Sequence, residues 1–400
     1  MNELPEGWVD VRLGDFAKTE KGRKPKLLST ERTEACSIPY VNIKAFEKNV
    51  IDEYTDGKGC VICEDDDFLM VWDGSRSGYV GKAITGALGS TLVRIKFPNV
   101  NHDYAYFFLQ SKFIEINTRA KGVGIPHVDP NLVWNYRFPL PPHPVQHAIV
   151  NKIEEIFSEL DHGVAQLKVA RAQLKVYRQA VLKWAFEGRL TNEGVVDGAL
   201  PDGWKWVKLG EICKNVEYGS AAKSNENGKV PVLRMGNIQK GRFDWSDLVY
   251  TDDEAEISKY TLHKNDVLFN RTNSPELVGK TAIYKASRPA IFAGYLIRIN
   301  RIEEQIDGDF LNYFMNSMIA KQYGNSVKTD GVNQSNINGQ KLKSYPIPLP
   351  PLSEQHQIVS EIERRLSVCD KLEETIEAGL KQAEVLRAGV LKMAFEGRLV

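Results

Sequence analysis

The sequence predicts an α+β fold: two mainly β domains joined by two long antiparallel helices that form a coiled coil, an internal duplication with pseudo-twofold symmetry. Three observations predict it. Residues 178–190, RQAVLKWAFEGRL, recur at 387–399 as RAGVLKMAFEGRL, identical at 10 of 13 positions. PLPPHPVQHAIV (139–150) recurs as PLPPLSEQHQIV (348–359), identical at 8 of 12, and LPEGWVDVRLGD (4–15) as LPDGWKWVKLGE (200–211), identical at 7 of 12. A repeat on this scale makes each copy one structural unit. Finally, the apolar period changes after each PLPP from short β-branched runs to heptads.

Each half reads as a GW start, a variable body, PLPP, a long helix and FEGRL. The chain divides into a first domain at 1–142, a helix at 143–190, a linker with the second domain at 191–350, and a second helix at 351–400. Within the bodies, runs such as VLRM, DVLFN, TAIYKA and YLIRIN, punctuated by Gly, Pro and Asn, predict strands. The landmarks correspond: IPYVNI (38–43) with VPVLRM (230–235), DFLM…VGKAI (67–84) with DVLF…VGKTAI (266–283), and GVGIPHV (122–128) with GVNQSNI (331–337). Apolar spacing at i, i+3, i+4 predicts a helix over 104–117 and a matching one over 310–323.

In the first long helix Ile153, Leu160, Leu167, Leu174 and Val181 fall seven apart, with Ile149, Ile156, Gly163, Ala170 and Tyr177 as the second seam. The second helix gives Ile362, Cys369, Ile376, Ala383 and Val390 on one seam and Ile358, Leu372 and Leu386 on the other. Proline precedes each helix, and Gly188 and Gly397 fit left-handed C-terminal caps. Helices of this length run roughly 60 Å at 1.5 Å per residue. Parallel packing would force the link from Arg189 to Trp204 back over most of that span, at the limit of about 3.5 Å per residue. Antiparallel packing needs almost no span, and it predicts that the first helix ends beside the second body and the second helix beside the first.

The chain has 400 residues, 42% apolar and 26% charged, with 52 Lys and Arg against 52 Asp and Glu. That excludes disorder and a long-range electrostatic field, so any basic surface is local. No apolar run approaches the roughly 18 residues of a membrane span, and residues 1–10 lack a basic start with an apolar core, so a cytoplasmic protein is expected. Five cysteines, at 36, 60, 63, 213 and 369, are too sparse for a disulfide framework and read as reduced thiols.

The motifs of catalysis are incomplete. Ser274-Pro-Glu-Leu-Val-Gly279-Lys280-Thr281 lacks the first glycine of a phosphate loop and continues as strand. Cys60-Val-Ile-Cys63 has no second pair, while zinc needs about four ligands. His143 and His147 lack a third ligand, and Asp56-Gly-Lys58 lacks the partners of a metal nuclease core. Neither Asn-Pro-Pro-Tyr nor Asp-Pro-Pro-Tyr is present for amino methylation, and there is no GxSxG. The chain reads as non-enzymatic, with no catalytic residue, metal or cofactor.

The ordered set of GW start, variable body, PLPP-x3-QH-x-IV helix and AFEGRL, written twice over essentially the whole chain, resembles the specificity (S) subunit of type I restriction-modification enzymes. In that family the bodies are target recognition domains that read the two halves of a split DNA site, and the helices are spacers that bind methyltransferase subunits. The resemblance implies double-stranded DNA and two methyltransferase subunits as partners, with restriction (translocase) subunits joining them, and no membrane. Two other readings are a stand-alone nuclease, disfavoured by the missing carboxylate clusters, and a two-headed coiled-coil scaffold that binds proteins without DNA readout.

On this reading KTEKGRKPK (18–26), with Lys21, Arg23, Lys24 and Lys26, is a phosphate-contact loop, the alternative being a solvated turn. Base readout falls to the paired loops before VGK: Asp73, Ser75 and Arg76 in the first body, and Asn270, Arg271, Thr272 and Asn273 in the second. Arg suits guanine O6/N7 and Asn suits adenine N6/N7, although such residues also hydrogen-bond within turns. A second pair of loops adds Lys121 and His127, and Lys328, Gln334 and Asn336. Beside the helix seams, Phe157, Val164, Trp184, Phe186, Leu366, Leu380, Met393 and Phe395 are candidates for partner docking, some of them instead binding the neighbouring body.

Overall fold

The computed structural model describes residues 4–65, 67–122, 124–196 and 198–400. It forms two compact units, Met1–Leu167 with Glu377–Val400, and Lys168–Ile376. Each is α+β.

The first unit is built on a four-stranded sheet in the order Lys18–Lys21, Leu92–Lys96, Phe68–Val71, Val80–Lys82. Phe68–Val71 is apolar without a break because both faces of the sheet are covered. Phe68 and Met70 pack with Tyr104 and Phe108 of the helix His102–Thr118. Leu69 and Val71 turn the other way, onto Val41, Cys63 and Leu88 of a second sheet. That sheet includes a parallel pairing of Ile38–Val41 with Gly86–Leu88. Val9–Arg12 pairs antiparallel with Arg137–Leu140 and brings the two ends of the body together.

The second unit repeats the plan. Its four-stranded sheet runs Cys213–Tyr218, Leu296–Arg301, Val267–Asn270, Thr281–Ile283. Val267 and Phe269 face one core while Leu268 faces another. Val230–Leu233 pairs in parallel with Ile291–Phe292, and Lys205–Lys208 closes on Pro346–Leu349. One expectation is corrected here. The helix read over 310–323 is two helices, Gly308–Met315 and Met318–Val327. The Asn316-Ser317 pair interrupts it: the Ser317 hydroxyl accepts from the Ala320 N–H at 3.3 Å, and the Asn316 amide donates to the Asn312 carbonyl at 2.9 Å. These short polar side chains offer the backbone partners that compete with a continuous helix.

The long helices are α1, His143–Phe186, and α2, Leu352–Phe395. Their antiparallel pairing is visible inside each unit. In the first, Ile149, Ile153 and Phe157 of α1 share a core with Val390, Leu391 and Ala394 of α2. In the second, Val181 and Leu182 share one with Ile358 and Ile362, and Arg178 bridges Asp370 at 2.7 Å and Glu373 at 3.0 Å. The first seam is buried or half-buried along both helices. The second seam departs from expectation: Tyr177, Leu372 and Leu386 are 39%, 49% and 47% exposed. One helix facing another buries a narrow stripe, so the outer seam is covered only where a body packs on it.

Three parts of the repeated signature have mutual physical roles. The glutamine of each PLPP-x3-QH is buried: Gln355 donates to the carbonyls of Pro350 (3.0 Å) and Gln305 (2.9 Å) and accepts from the Asp307 N–H at 2.8 Å. Gln146 likewise donates to the Pro141 carbonyl and accepts from the Asn101 N–H. Asn101 and Asp307 are themselves N-caps, so each glutamine joins the start of a long helix to the start of a body helix. Gln355→Leu keeps the volume but strands one buried N–H and two carbonyls, and a loss of about 3 kcal/mol in urea unfolding is expected. A change below about 1 kcal/mol would show that water replaces the amide.

The FEGRL and GW segments are mates. Gly188 takes φ +78°, and the Arg189 N–H closes the cap on the Trp184 carbonyl at 2.8 Å. A Cβ on Gly188 would lie 2.2 Å from the Pro201 ring and 3.5 Å from Trp204. Gly397, φ +68°, meets Pro5 and Trp8 in the same way. Each helix end is therefore seated on the LPxGW segment of the opposite repeat.

Candidate nucleic-acid interface

In the first unit, three segments far apart in sequence converge. Asp73 and Lys121 both bridge His127 through the backbone, with Lys121 N–H to His127 O at 2.9 Å and the reverse bond at 2.7 Å. The Gly74 N–H donates to the Pro126 carbonyl at 2.8 Å, and Lys21 Nζ lies 2.9 Å from Asp73 Oδ2. The end of the basic strand, the loop before VGK and the glycine-rich loop thus form one platform. Val123, inside the third segment, lies outside the described residues. Lys121 also pairs with Asp129 at 2.7 Å, and that ammonium holds the Asp129 carboxyl below its usual range.

Ser75 is exposed and its carbonyl accepts from Asn117 Nδ2 at 3.0 Å. Arg76 is fixed by Glu47 at 3.3 Å and by the Tyr79 ring, 4.1 Å away. Beyond the strand, Arg23, Lys24 and Lys26 are exposed and make no ion pair among the described residues.

The second unit builds the same platform from different side chains. Thr272–Asn273 pairs with Ser335–Asn336, which pairs in turn with Thr329–Asp330. Thr272, Asn336 and Thr329 thus stand where Asp73, His127 and Lys121 stand in the first unit. Asn336 Nδ2 donates to Thr272 Oγ1 at 2.7 Å, and the Asn273 side-chain oxygen accepts from the Ser274 N–H at 2.8 Å. Lys328 Nζ reaches the Pro275 carbonyl at 3.2 Å and Asp330 at 3.6 Å. The Ser335 hydroxyl donates to Asp330, and this bond together with Lys328 holds the Asp330 carboxyl low. Gln334 is exposed at the hairpin tip.

The Arg271 guanidinium lies 4.9 Å over the Tyr218 ring and donates to the Gly294 carbonyl at 3.3 Å. Tyr218 ends the strand that corresponds to the one ending at Lys21, so each platform is braced from the same side. Asn270 is a correction: it is fully buried, its Oδ1 accepts from the Thr272 N–H at 3.3 Å, and it cannot reach a ligand. Thr272 is buried as well, at 8%, while Arg271 and Asn273 keep part of their surface in solvent.

Sequence reasoning missed a basic cluster beside this platform. Lys240, Lys280 and Lys321, from three separate segments, line a cavity of about 270 Å³ together with Pro275 and Glu276. None is ion-paired among the described residues, and burial lowers the Lys321 pKa. One signal was available, since Lys240 occupies a Lys-Gly turn and takes φ +50°. Among the described residues no group of three or more His, Cys, Asp or Glu could hold a metal, and no helix is long and apolar enough to cross a membrane.

On the helices, several candidate docking residues are core. Phe186 is 1% exposed, and its ring meets Phe310 and Phe314 edge-on at 5.3 and 5.2 Å. Phe157 is buried against Phe107, Phe395 packs on Tyr104 and Phe108, and Leu366 lies against the core of its unit. Phe157 packs on the body of its own repeat, and Phe186 and Phe395 pack on the body of the opposite repeat. Val164, Leu380, Met393 and Trp184, the last edge-on to Tyr177, keep part of their surface in solvent. In the second unit the opened seam leaves a groove of about 590 Å³ lined by Leu174, Tyr177, Val368, Cys369, Leu372 and Ile376.

The sequence family described as "Type I restriction modification DNA specificity domain" matches this chain twice, over residues 5–168 and 201–382. Among curated proteins the chain is similar to the type I restriction enzyme MjaVIII specificity subunit of Methanocaldococcus jannaschii, 28% identical over 99% of this chain and 94% of that one. It is also similar to the StySPI specificity subunit of Salmonella potsdam, 26% identical over 99% and 90%. The fold is shared with a chain solved in work on complex assembly and conformational transition of the type I R-M system, at TM-score 0.79 and 19% identity over 100% of both chains. The HsdS subunit from Thermoanaerobacter tengcongensis shares it at TM-score 0.59 and 19% identity, over 99% of this chain and 98% of that one. The double match, one copy for each repeat, makes this chain a member of the type I restriction modification DNA specificity domain family.

Proposed function

We propose that this chain is the DNA-specificity subunit of a type I restriction-modification enzyme. Each body reads one half of an asymmetric, split site in double-stranded DNA, and α1 and α2 dock two methyltransferase subunits, with restriction subunits joining the assembly. The observation that carries this is the loop platform built twice on one scaffold with different side chains. A common frame places the reading segments, and divergent residues at equal positions (Asp73 and Thr272, His127 and Asn336) make the two half-sites differ. The chain is non-catalytic; partner chains carry out adenine methylation and cleavage, in the cytoplasm.

Positioning and reading are separate tasks. Arg23, Lys24 and Lys26, with Lys240, Lys280 and Lys321, supply charge for phosphates, which fixes register without sequence information. Arg271, stacked on Tyr218, is pre-oriented to offer its remaining donors to a guanine edge. Docking falls to the half-exposed apolar residues Val164, Trp184, Leu380 and Met393 and to the groove at Leu372, surfaces that the bodies leave uncovered.

Co-expression with the methyltransferase in a methylation-free host, followed by single-molecule mapping of modified adenines, tests this reading. One split asymmetric motif that vanishes without this chain is expected. Arg271→Ala should relax one base of the second half-site, through loss of about 1–3 kcal/mol of discrimination. A uniform fall at all sequences would make Arg271 a phosphate contact, and a stable complex with no methylated motif would favour a protein scaffold.

A further inference from the structure

One hydrogen-bond network is built twice, atom for atom, in bodies whose sequences otherwise vary. In the first unit the Arg94 guanidinium gives Nε and Nη2 to Glu20 Oε2, the former at 3.0 Å, and Nη1 to the Ile62 carbonyl at 2.7 Å and to Asp67 Oδ2 at 3.0 Å. In the second, Arg298 gives Nε and Nη2 to Glu217 Oε2 at 3.1 and 2.6 Å, and Nη1 to the Thr261 carbonyl at 2.9 Å and to Asp266 Oδ2 at 3.2 Å. The same aspartate oxygen also accepts the backbone N–H three residues earlier, from Glu64 at 3.0 Å and from His263 at 2.9 Å. Both arginine side chains are mostly buried, at 13% and 11% exposure.

Stability alone does not account for this network. Exchanging buried ion pairs for apolar side chains of similar volume is often neutral or stabilising, so what these charges add is geometry. The geometry concerns an edge strand. Glu20 stands directly opposite Arg94, and Glu217 opposite Arg298, each on the outermost strand of its four-stranded sheet. Lys18–Lys21 has all four residues exposed, so no buried face sets its register. Cys213–Tyr218 is buried at Cys213, but its ladder shifts between Cys213 and Asn215, which uncouples the far end from that anchor. A slip of one residue would carry the strand end about 3.4 Å and turn each side chain to the other face. Those ends enter the platforms: Lys21 reaches Asp73, and Tyr218 carries the Arg271 guanidinium on its ring while its hydroxyl accepts from the Gly339 N–H at 2.8 Å.

We propose that Glu20 with Arg94, and Glu217 with Arg298, are positioning residues: each pair pins the register of an edge strand and so holds the end of that strand where its platform reads DNA. The inference rests on the DNA-specificity reading. The aspartate and the backbone carbonyl fix each guanidinium, so the glutamate meets a donor fork of set orientation.

The test compares two substitutions at Glu217 in the complex assembled with the methyltransferase subunits. Glu217→Gln keeps an oxygen within reach of Arg298, whereas Glu217→Thr keeps a strand former and removes the reach. Each complex is titrated with duplexes carrying the mapped site and with duplexes changed at one base pair. Glu217→Thr should lose at least about 5-fold of its discrimination at a base pair of the second half-site, the smaller end of what one bidentate base contact supplies, with the first half-site read as before. Glu217→Gln should discriminate as the parent does. Hydrogen exchange over residues 213–218 should quicken in Glu217→Thr alone, with the rest of the second unit protected as in the parent. Glu20→Thr, made on a strand with no buried side chain to lose, should relax the first half-site only, and it carries the test if Glu217→Thr fails to fold. Full discrimination in both threonine variants, equal loss in Glu217→Gln and Glu217→Thr, or relaxation of both half-sites by one substitution overturns the proposal while leaving DNA specificity intact. A parent complex that prefers no duplex overturns the DNA-specificity reading and this inference with it.

Discussion

Phe186→Ala should remove about 3–5 kcal/mol from the stability of the second unit. The ring is closed in by Phe310 and Phe314 and belongs to the same core as Val267, Phe269 and Ile358. Truncation removes the transfer energy of a phenyl group and leaves a cavity that the neighbouring strands and helices cannot easily collapse. Trp184, two residues earlier, is half-buried with Tyr177 edge-on to it, so Trp184→Ala should cost about 1 kcal/mol in folding. Its larger effect should fall on the affinity for one methyltransferase subunit. Urea unfolding followed by circular dichroism, beside titration with the methyltransferase, separates the two. Parental stability in Phe186→Ala would mean that the ring is not core, and undiminished partner affinity in Trp184→Ala would remove that residue from the docking surface.

The contrast between these neighbours marks how far the sequence could be read. Heptad spacing finds the inner seam because Ile153, Val181, Ile362 and Val390 have to be buried wherever the helices meet. It cannot say which outer positions a body covers, since that depends on docking of the body against the helix flank. Phe186 and Leu372 were both legible as apolar and helical, yet one is core and the other half-exposed. The repeat also marked LPxGW and FEGRL as important without revealing that they touch. That pairing is a tertiary contact between Gly188 and Pro201, and between Gly397 and Pro5.

The candidate site shows a similar boundary. The loops before VGK and the glycine-rich loops were each visible as turn chemistry, but their union through Asp73, His127 and Lys121 depends on backbone bridges that leave no side-chain signature. Asn270 was misread because a buried turn asparagine and a base-reading asparagine have the same letter. The lysine cluster escaped because Lys240, Lys280 and Lys321 are far apart in sequence.

Simultaneous replacement of Arg23, Lys24 and Lys26 by alanine should change the salt dependence of DNA binding more than any other property. All three are exposed and free of ion pairs among the described residues, so their charge is available to phosphates and their loss should leave folding intact. Each phosphate neutralised on B-DNA contributes about 0.9 to the slope of log affinity against log salt, so the slope should fall by about 2.7. Between 50 and 200 mM salt the parent complex should therefore lose about 40-fold more affinity than the variant. The methylated motif should be unchanged, because phosphate contacts fix register and carry no base identity. Lys21 is kept as an internal control: with its ammonium on Asp73 its charge is partly spent, and Lys21→Ala should alter the slope by less than any one of the three. A slope identical to the parent's would leave 23–26 as a solvated turn, and a relaxed first half-site would make the segment a base reader. A reduced slope with an intact motif is the result that a chain with no net charge requires, since its attraction for DNA has to come from local clusters placed beside the reading loops.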